Sequence, residues 1–357
     1  MPFRIGRGAF SVNPLNRPTR RAHPARPVTI KEVASEVGVS VATVSRALIH
    51  PELLREDTRT KVLAVIDRLG YQPNLIARDL RRRETRLVFV VVPSLSPFFL
   101  EVFRGVERGA RQAGYAVLVG HAERDGEREQ LFLDQVASRR ADGMILVTSS
   151  EPAVLAARTR PMPPVVAALE WIDGLNLPTV RIDHRAASVS ATNHLIELGH
   201  RRIAHIAGPV KAPMAQHRRE GFEAAMRQAG LDPQTYPRIC GDFTVAFGEA
   251  AMQTLLACDP PPTAVFAAND EMAVGAIQAI KRAGLTVGRD ISVIGFDDQR
   301  IASLYEPALT TVRVPTEELG YRSMLTLADI MHGKPIEPDV VLPTTVVVRL
   351  TTGPAPA

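Results

Sequence analysis

Cysteine is nearly missing from this sequence: Cys240 and Cys258 are the two thiols among 357 residues. Two thiols cannot frame a disulfide-stapled fold, and neither sits among the neighbours of a metal site. A reduced compartment is the simplest reading. Tryptophan occurs once, at Trp171. No apolar run approaches the roughly 18 residues needed to cross a bilayer; the longest, from Leu87 to Val92, is strand-sized. Residues 1–27 hold six arginines and no acid, with no apolar stretch of a secretory signal. Catalytic signatures are also missing: no G-x-G-x-x-G after a strand, no P-loop, no G-x-S-x-G, no H-E-x-x-H. These absences exclude a disulfide scaffold and a membrane-spanning chain, and leave an enzyme without support. They leave a cytoplasmic protein with no cofactor and no metal.

What is present begins with charge. The chain is 45% apolar and 23% charged, enough for a sizeable core, with a net charge of +5. That charge is unevenly spread, because residues 1–87 carry a net of +9 and the remainder a net of −4. A basic head on a mildly acidic body suggests a polyanion-binding module joined to a body with another task. Residues 1–27 show no apolar period and are expected to be a disordered basic tail.

The stretch "TIKEVASEVGVSVATVSRAL", Thr29 to Leu48, carries the sharpest local signals. Thr29 and Glu32 form a capping box at the start of a helix. Ile30, Val33, Ala34 and Val37 fall on one face of it. Gly38 supplies the left-handed turn, and Ser40 can cap a second helix that buries Val44 and Leu48. A third helix from about Glu56 to Leu69 buries Val62, Ile66 and Leu69 and stops at Gly70. Three short helices around one small core make the helix-turn-helix pattern. In that geometry Val41, Ala42, Ser45 and Arg46 face the major groove. Arg46 can bond guanine or phosphate, Ser45 can donate or accept, and Val41 and Ala42 offer apolar contact to thymine methyls. The following "YQPNLIARDLRRRETR" breaks at Pro73, and Asn74 can cap a helix too short to persist alone in water.

From Leu87 short apolar runs alternate with helical stretches. Strands are expected at 87–92, 116–119, 143–147, 165–168, 202–207, 263–267 and 291–295. Helices are expected at 99–113, 187–198, 218–229, 247–257 and 271–283, several of them stopped by glycine. Such alternation means βαβ units in doubly wound sheets. Some 270 residues favour two sheets over one.

Taken together, "TIKEVASEVGVSVATVSRAL", "GYQPNLIARDLRRRET", "VVPSLSPFFLEVFRGVERGARQAGY", "ADGMIL", "HLIELGHRRIAHIAGP", "RREGF", "GDFT", "FAANDEMAVGAIQAI" and "ISVIGFDD" resemble a LacI/GalR-family transcriptional repressor. The resemblance covers nearly everything after residue 27. It implies an α/β protein: a three-helix helix-turn-helix headpiece over 28–73, a hinge helix and linker over 74–86, and a periplasmic-binding-protein-like core of two doubly wound lobes over 87–357. The lobes are expected at about 87–184 with 314–340, and about 185–313 with 341–357. Thr29, Ser40, Thr43 and Tyr71 join the DNA-contact set in the headpiece, and Asn74, Ala77, Arg78, Leu80 and Arg81 in the hinge. Leu80 matches the apolar wedge that such proteins insert into the minor groove.

The resemblance also implies a homodimer on a pseudo-palindromic operator and a small, sugar-like effector between the lobes. Phe98, Glu170, Arg218, Phe243, Asn269 and Asp297 are its expected contacts: polar groups to orient it, flat rings to wall it. Trp171 either stacks on the ligand or packs at a subunit boundary. The sequence departs from the family pattern where Arg55 replaces the cap of the third helix, where "IHPELL" replaces the usual turn, and where Met214 and Glu170-Trp171 stand in the cleft. The ending "TTGPAPA" has no leucine heptad for a tetramer. A transport protein that only binds sugar is the alternative, though it would have no use for residues 28–86.

Overall fold

The structure is a computed structural model that describes residues 28–71, 84–123, 125–147, 161–172 and 174–356. The expected tail over 1–27, and the hinge positions Asn74, Ala77, Arg78, Leu80 and Arg81, lie outside the described residues. The chain divides into two compact units, residues 1–78 and 79–357.

In the first unit, α1 (Ile30–Val37), α2 (Val41–Ile49) and α3 (Glu56–Leu69) close around Val33, Ala34, Val44, Ala47 and Val62. Thr29 opens α1 with the capping box in place: its amide donates to Glu32 Oε2 (2.6 Å) and the Glu32 amide donates to Thr29 Oγ1 (3.4 Å). Gly38 ends α1 at φ +78°, a conformation that costs a side-chain-bearing residue energy. Ser40 Oγ accepts from the Thr43 amide (3.2 Å) and so caps α2, which starts at the next residue. Leu48 is half-buried, and Ala47 takes the covered position expected of it. Ile66 and Leu69 pack on the core partly buried. Arg55 precedes α3 without a side-chain cap. The "HPELL" stretch forms a short 3₁₀ turn, Pro51–Leu53, with Leu53 exposed.

The second unit holds two six-stranded sheets. The first comprises β1 (Leu87–Val92), β2 (Ala116–His121), β3 (Gly143–Val147), β4 (Val165–Leu169), β5 (Thr179–Ile182) and β11 (Asp339–Leu342), ordered β11-β5-β4-β3-β1-β2 and parallel throughout. The second comprises β6 (Ile203–Ala207), β7 (Ile239–Cys240), β8 (Ala264–Ala267), β9 (Ser292–Asp297), β10 (Thr310–Arg313) and β12 (Thr345–Val347), ordered β12-β10-β9-β8-β6-β7. Only β12 runs antiparallel, against β10. Around the sheets lie α4 (Pro97–Ala113), α5 (Gly126–Ala137), α6 (His184–Glu197), α7 (Pro213–Gln228), α8 (Val245–Leu256), α9 (Asp270–Arg282), α10 (Arg300–Leu304) and α11 (Thr316–Met331).

The chain passes from the first sheet to the second after Ile182 and returns after Arg313 through α11. It crosses again between Leu342 and Thr345, and Val341 and Leu342 still pair with Arg181 and Ile182 of the first sheet. The handover expected at residue 340 therefore falls two residues later, because the edge strand β11 runs on to complete its ladder. In both sheets the order reverses beside the first strand, and in such sheets ligands settle at the carboxyl ends of the strands at that reversal.

The helices α4 and α11 cross at very close range. A Cβ on Gly105 would overlap the Glu317 carbonyl oxygen, and one on Gly320 would overlap that of Val102. Only glycine lets the two backbones approach so closely. Gly105→Ala is expected to lower the unfolding free energy of the core by about 1–3 kcal/mol, the usual cost of overpacking, in urea titrations. An unchanged midpoint would show that the crossing has slack.

Candidate functional site

The first candidate surface is the start of α2. Ser40 and Thr43 engage each other (Oγ to Oγ1, 2.9 Å) as well as the helix end. Val41, at 37% exposure, Ala42 and Arg46 face solvent, while Thr43 and Ser45 are half-buried. Val44 is fully buried, so its burial fixes which neighbours point out. Thr29 is half-buried with its hydroxyl donating to Glu32 Oε2 (2.9 Å). Tyr71 packs partly buried against the helical core, behind Gly70. The exposed set of Val41, Ala42 and Arg46 is small, mixed and cationic, which suits a groove edge.

The described residues before β1 are held tightly to the first sheet. The Asp142 carboxylate accepts the Thr85 amide (2.8 Å), the Thr85 hydroxyl (3.0 Å) and the Arg86 amide (2.8 Å). The linker therefore leaves the core from a fixed point.

The second candidate is a cavity of about 250 Å³ between the two sheets of the core. Its walls come from the loop after β1 with the start of α4, from α7, from the loop after β7, and from the ends of β8 and β9. All are the carboxyl ends of strands or the helix starts that follow them. Phe98, Arg218, Phe243, Asn269 and Asp297, five of the six expected contacts, line it together.

Arg218 organises the floor. Its side chain is 1% exposed. It donates to Asp297 Oδ1 (3.0 Å), to the Ala268 carbonyl and to His184 Nδ1 (3.3 Å), and its guanidinium lies 3.7 Å over the Phe296 ring. A buried cation needs that much company. Burial and then the Arg218 charge push His184 well below the usual imidazole range, so its neutral ring accepts from Arg218 and donates to the Leu169 carbonyl (3.2 Å). Asn269 caps α9 through the Met272 amide (2.9 Å) and donates to the Phe243 carbonyl (3.0 Å), which sets the aromatic wall. The backbone is strained here: Phe243, Asp297 and Asp298 have φ of +69°, +109° and +54°. Positive φ outside glycine clusters where a fold holds a ligand-binding geometry.

Glu170 and Trp171 are not among the residues lining the cavity. They follow β4, where Leu169 at φ +81° redirects the chain, and adjacent side chains then part company. Glu170 is buried and acts on Arg218 through its charge. Trp171 is 41% exposed, with the Arg181 guanidinium 5.1 Å from its ring centroid; Asp339 holds that arginine by two bonds (2.8 and 2.9 Å). Sequence reasoning passed over Phe99, Asp242, Thr244, Glu271 and Gln299, which also line the cavity. The signal was present, since each is inside or next to a quoted motif: "SPFF", "GDFT", "FAANDEM" and "GFDD".

Comparison with known proteins follows the same division. Residues 29–74 match the family described as bacterial regulatory proteins, lacI family, and residues 192–352 match the periplasmic binding protein-like domain. The chain is 42% identical over 310 residues to the HTH-type transcriptional repressor CytR of Escherichia coli strain K12, covering 86% of this chain and 90% of that one. It is 37% identical over 297 residues to the ribose operon repressor of the same strain, covering 82% and 89%. A crystal structure of the lac repressor dimer bound to operator and the anti-inducer ONPF superposes with a TM-score of 0.83 at 31% identity, over 92% of this chain and 100% of that one.

Burial lifts the Asp297 carboxyl to about 6 against the opposing pull of Arg218. The folded value lies above that of an unfolded aspartate, so the folded protein holds the extra proton between the two values. The stability this contributes is complete at low pH and is lost as pH rises through about 6. The unfolding free energy of the protein minus that of Asp297→Asn should therefore fall between about pH 4 and 7. A difference that grows with pH would contradict the assignment.

Proposed function

The chain belongs to the lacI family of bacterial regulatory proteins, and from that premise we propose that it is a transcriptional repressor acting in the cytoplasm. As a homodimer it grips a pseudo-palindromic operator, and a small polar effector bound in the core cavity governs that grip. The observation that carries this reading is a conjunction in one chain. A capped α2 presents Val41, Ala42 and Arg46 to solvent in one unit, and the other unit holds a strand-end cavity built around Arg218. Transport alone would leave the first unit without a task, and the relatives named above are repressors.

The start of α2 enters the major groove, where Arg46 reaches guanine or phosphate and Val41 and Ala42 meet thymine methyls. Phosphate contacts position the headpiece and base contacts specify the site. Leu80 inserts between base steps of the minor groove, at a cost in stacking that the added contact surface offsets. In the core, Phe98, Phe243 and Met214 wall the ligand while Arg218 and Asp297 orient its polar groups. A ligand shifts the lobe arrangement only through its differential affinity for the two states. Any shift of the first sheet moves the Asp142 anchor at Thr85 and Arg86, and with it the linkers of both subunits. Release of DNA is the sign proposed for the effector.

Gel shifts with promoter fragments against scrambled competitor, at moderate ionic strength and with candidate metabolites, test the reading. A preference for particular fragments supports it; equal affinity for all of them, with and without metabolites, removes it. Leu80→Ala should weaken specific binding and leave weak binding to random DNA largely intact. Equal losses on both would show that Leu80 is no wedge. Asp297→Asn should keep operator binding while the effector response disappears, and a response at the original concentration would take Asp297 out of the ligand's reach.

A further inference from the structure

A second cavity, of about 380 Å³, lies within the lobe built on β6–β10, between β6, α7 and the residues around 233–238 that lead into β7. None of the residues lining it lines the effector cavity. His205, on β6, borders it and is 8% exposed. The imidazole packs on Phe222 (ring centroids 5.0 Å) and on Phe266 (4.7 Å). Its Nδ1 lies 2.8 Å from the Phe266 carbonyl oxygen. A carbonyl can only accept, so the proton is on Nδ1. Burial drives the imidazole down to about 4, so the ring stays neutral and Nε2 carries a bare lone pair. That Nε2 is buried and meets no hydrogen-bond donor among the described residues. A buried acceptor left alone costs about 1–3 kcal/mol, and nearly all such groups in folded proteins find a partner.

The rim of the same cavity is cationic. Arg219, Arg238 and Glu223 line it, and Glu223 is the shared partner of Arg219 (3.9 Å), Arg227 (2.8 Å) and Arg238 (4.0 Å). One carboxylate among three guanidiniums leaves positive charge unmatched. The Tyr236 hydroxyl is committed to the Pro260 carbonyl (3.1 Å). A bare anion would satisfy the arginines but has nothing to donate to Nε2. A neutral polyol would satisfy Nε2 and leave the arginines unmatched.

We propose that this cavity is a second ligand site, separate from the effector cavity, for a small hydroxylated anion. A hydroxyl donates to His205 Nε2, and the anionic group rests on Arg219 and Arg238. Glycerol 3-phosphate is the probe, with glycerol and sulfate, an anion that carries no hydroxyl at neutral pH, standing for its two halves, titrated into the full-length protein. Calorimetry measures affinity, and ¹⁵N-observed imidazole spectra follow the His205 Nε2 resonance. The whole probe should bind at least about tenfold more tightly than either half and should shift that resonance. His205→Phe keeps a flat ring in the stack and should lose the advantage over sulfate. Arg238→Ala, at an exposed position that does not threaten folding, should weaken glycerol 3-phosphate and sulfate alike. An unmoved His205 resonance at the highest soluble concentration overturns the proposal. So does unchanged affinity in Arg238→Ala, or a His205→Phe variant that melts higher while the protein binds none of the probes; the histidine would then be a member of the aromatic stack and nothing more.

Discussion

A fully buried guanidinium holds the core of this protein in its working form. Arg218 sits on α7, yet it reaches the end of β9 through Asp297, the end of β8 through the Ala268 carbonyl, and the start of α6 through His184. Its flat face rests on Phe296. The energetic reason for so many partners is desolvation. Removing an arginine from water is costly, and a single bond to a carboxylate does not offset it. The same burial lifts the Asp297 carboxyl to about 6 even beside Arg218. A floor built this way has few alternative arrangements, which is what a binding site needs of its least mobile part.

The rest of the cavity is fitted to that floor. Asn269 links α9 to the Phe243 backbone, and the positive φ values at Phe243, Asp297 and Asp298 are sustained by the surrounding bonds. Asp298 itself is held by Arg313 (2.7 Å) and Arg349 (2.6 Å). These links join strand ends that lie far apart in sequence. They belong to the second sheet, and the first sheet contributes Phe98, after β1, to the opposite wall, so a ligand in the cavity meets both. The headpiece obeys a different economy. Its core is a handful of small aliphatic side chains, and its order rests on local devices: the Thr29–Glu32 box, the Gly38 turn and the Ser40 cap. The cleft thus relies on long-range polar links, the reading head on short-range caps.

That difference explains what was legible in the sequence. Caps and glycine stops are local signals, so α1, α2 and α3 could be placed nearly to the residue. The parallel strands β1, β3, β6 and β8 show as apolar runs because they are buried on both faces. The strands β5, β7, β10, β11 and β12, each two to four residues long, and the helices α5, α10 and α11 were not distinguished. Leu48 and Ala47 exchanged places because one face of a helix admits positions three and four residues apart equally well. Glu170 and Trp171 followed from motif position alone, which cannot show where a strand end turns its side chains. Arg218 was legible by its motif, but its three protein partners come from residues 184, 268 and 297, and no local pattern announces them.

The claim that Arg218 and Asp297 form one unit is most directly tested by a double-mutant cycle in urea unfolding, with Arg218→Met, Asp297→Asn and the pair together. Arg218→Met strands the Asp297 carboxylate in an apolar interior and should cost about 3–5 kcal/mol; Asp297→Asn keeps a neutral polar group beside Arg218 and should cost less. The double change should cost clearly less than the two single costs combined, because neither partner is then stranded. Simple additivity across the cycle would mean that the two side chains act independently, and that the cleft floor is organised by something other than this pair.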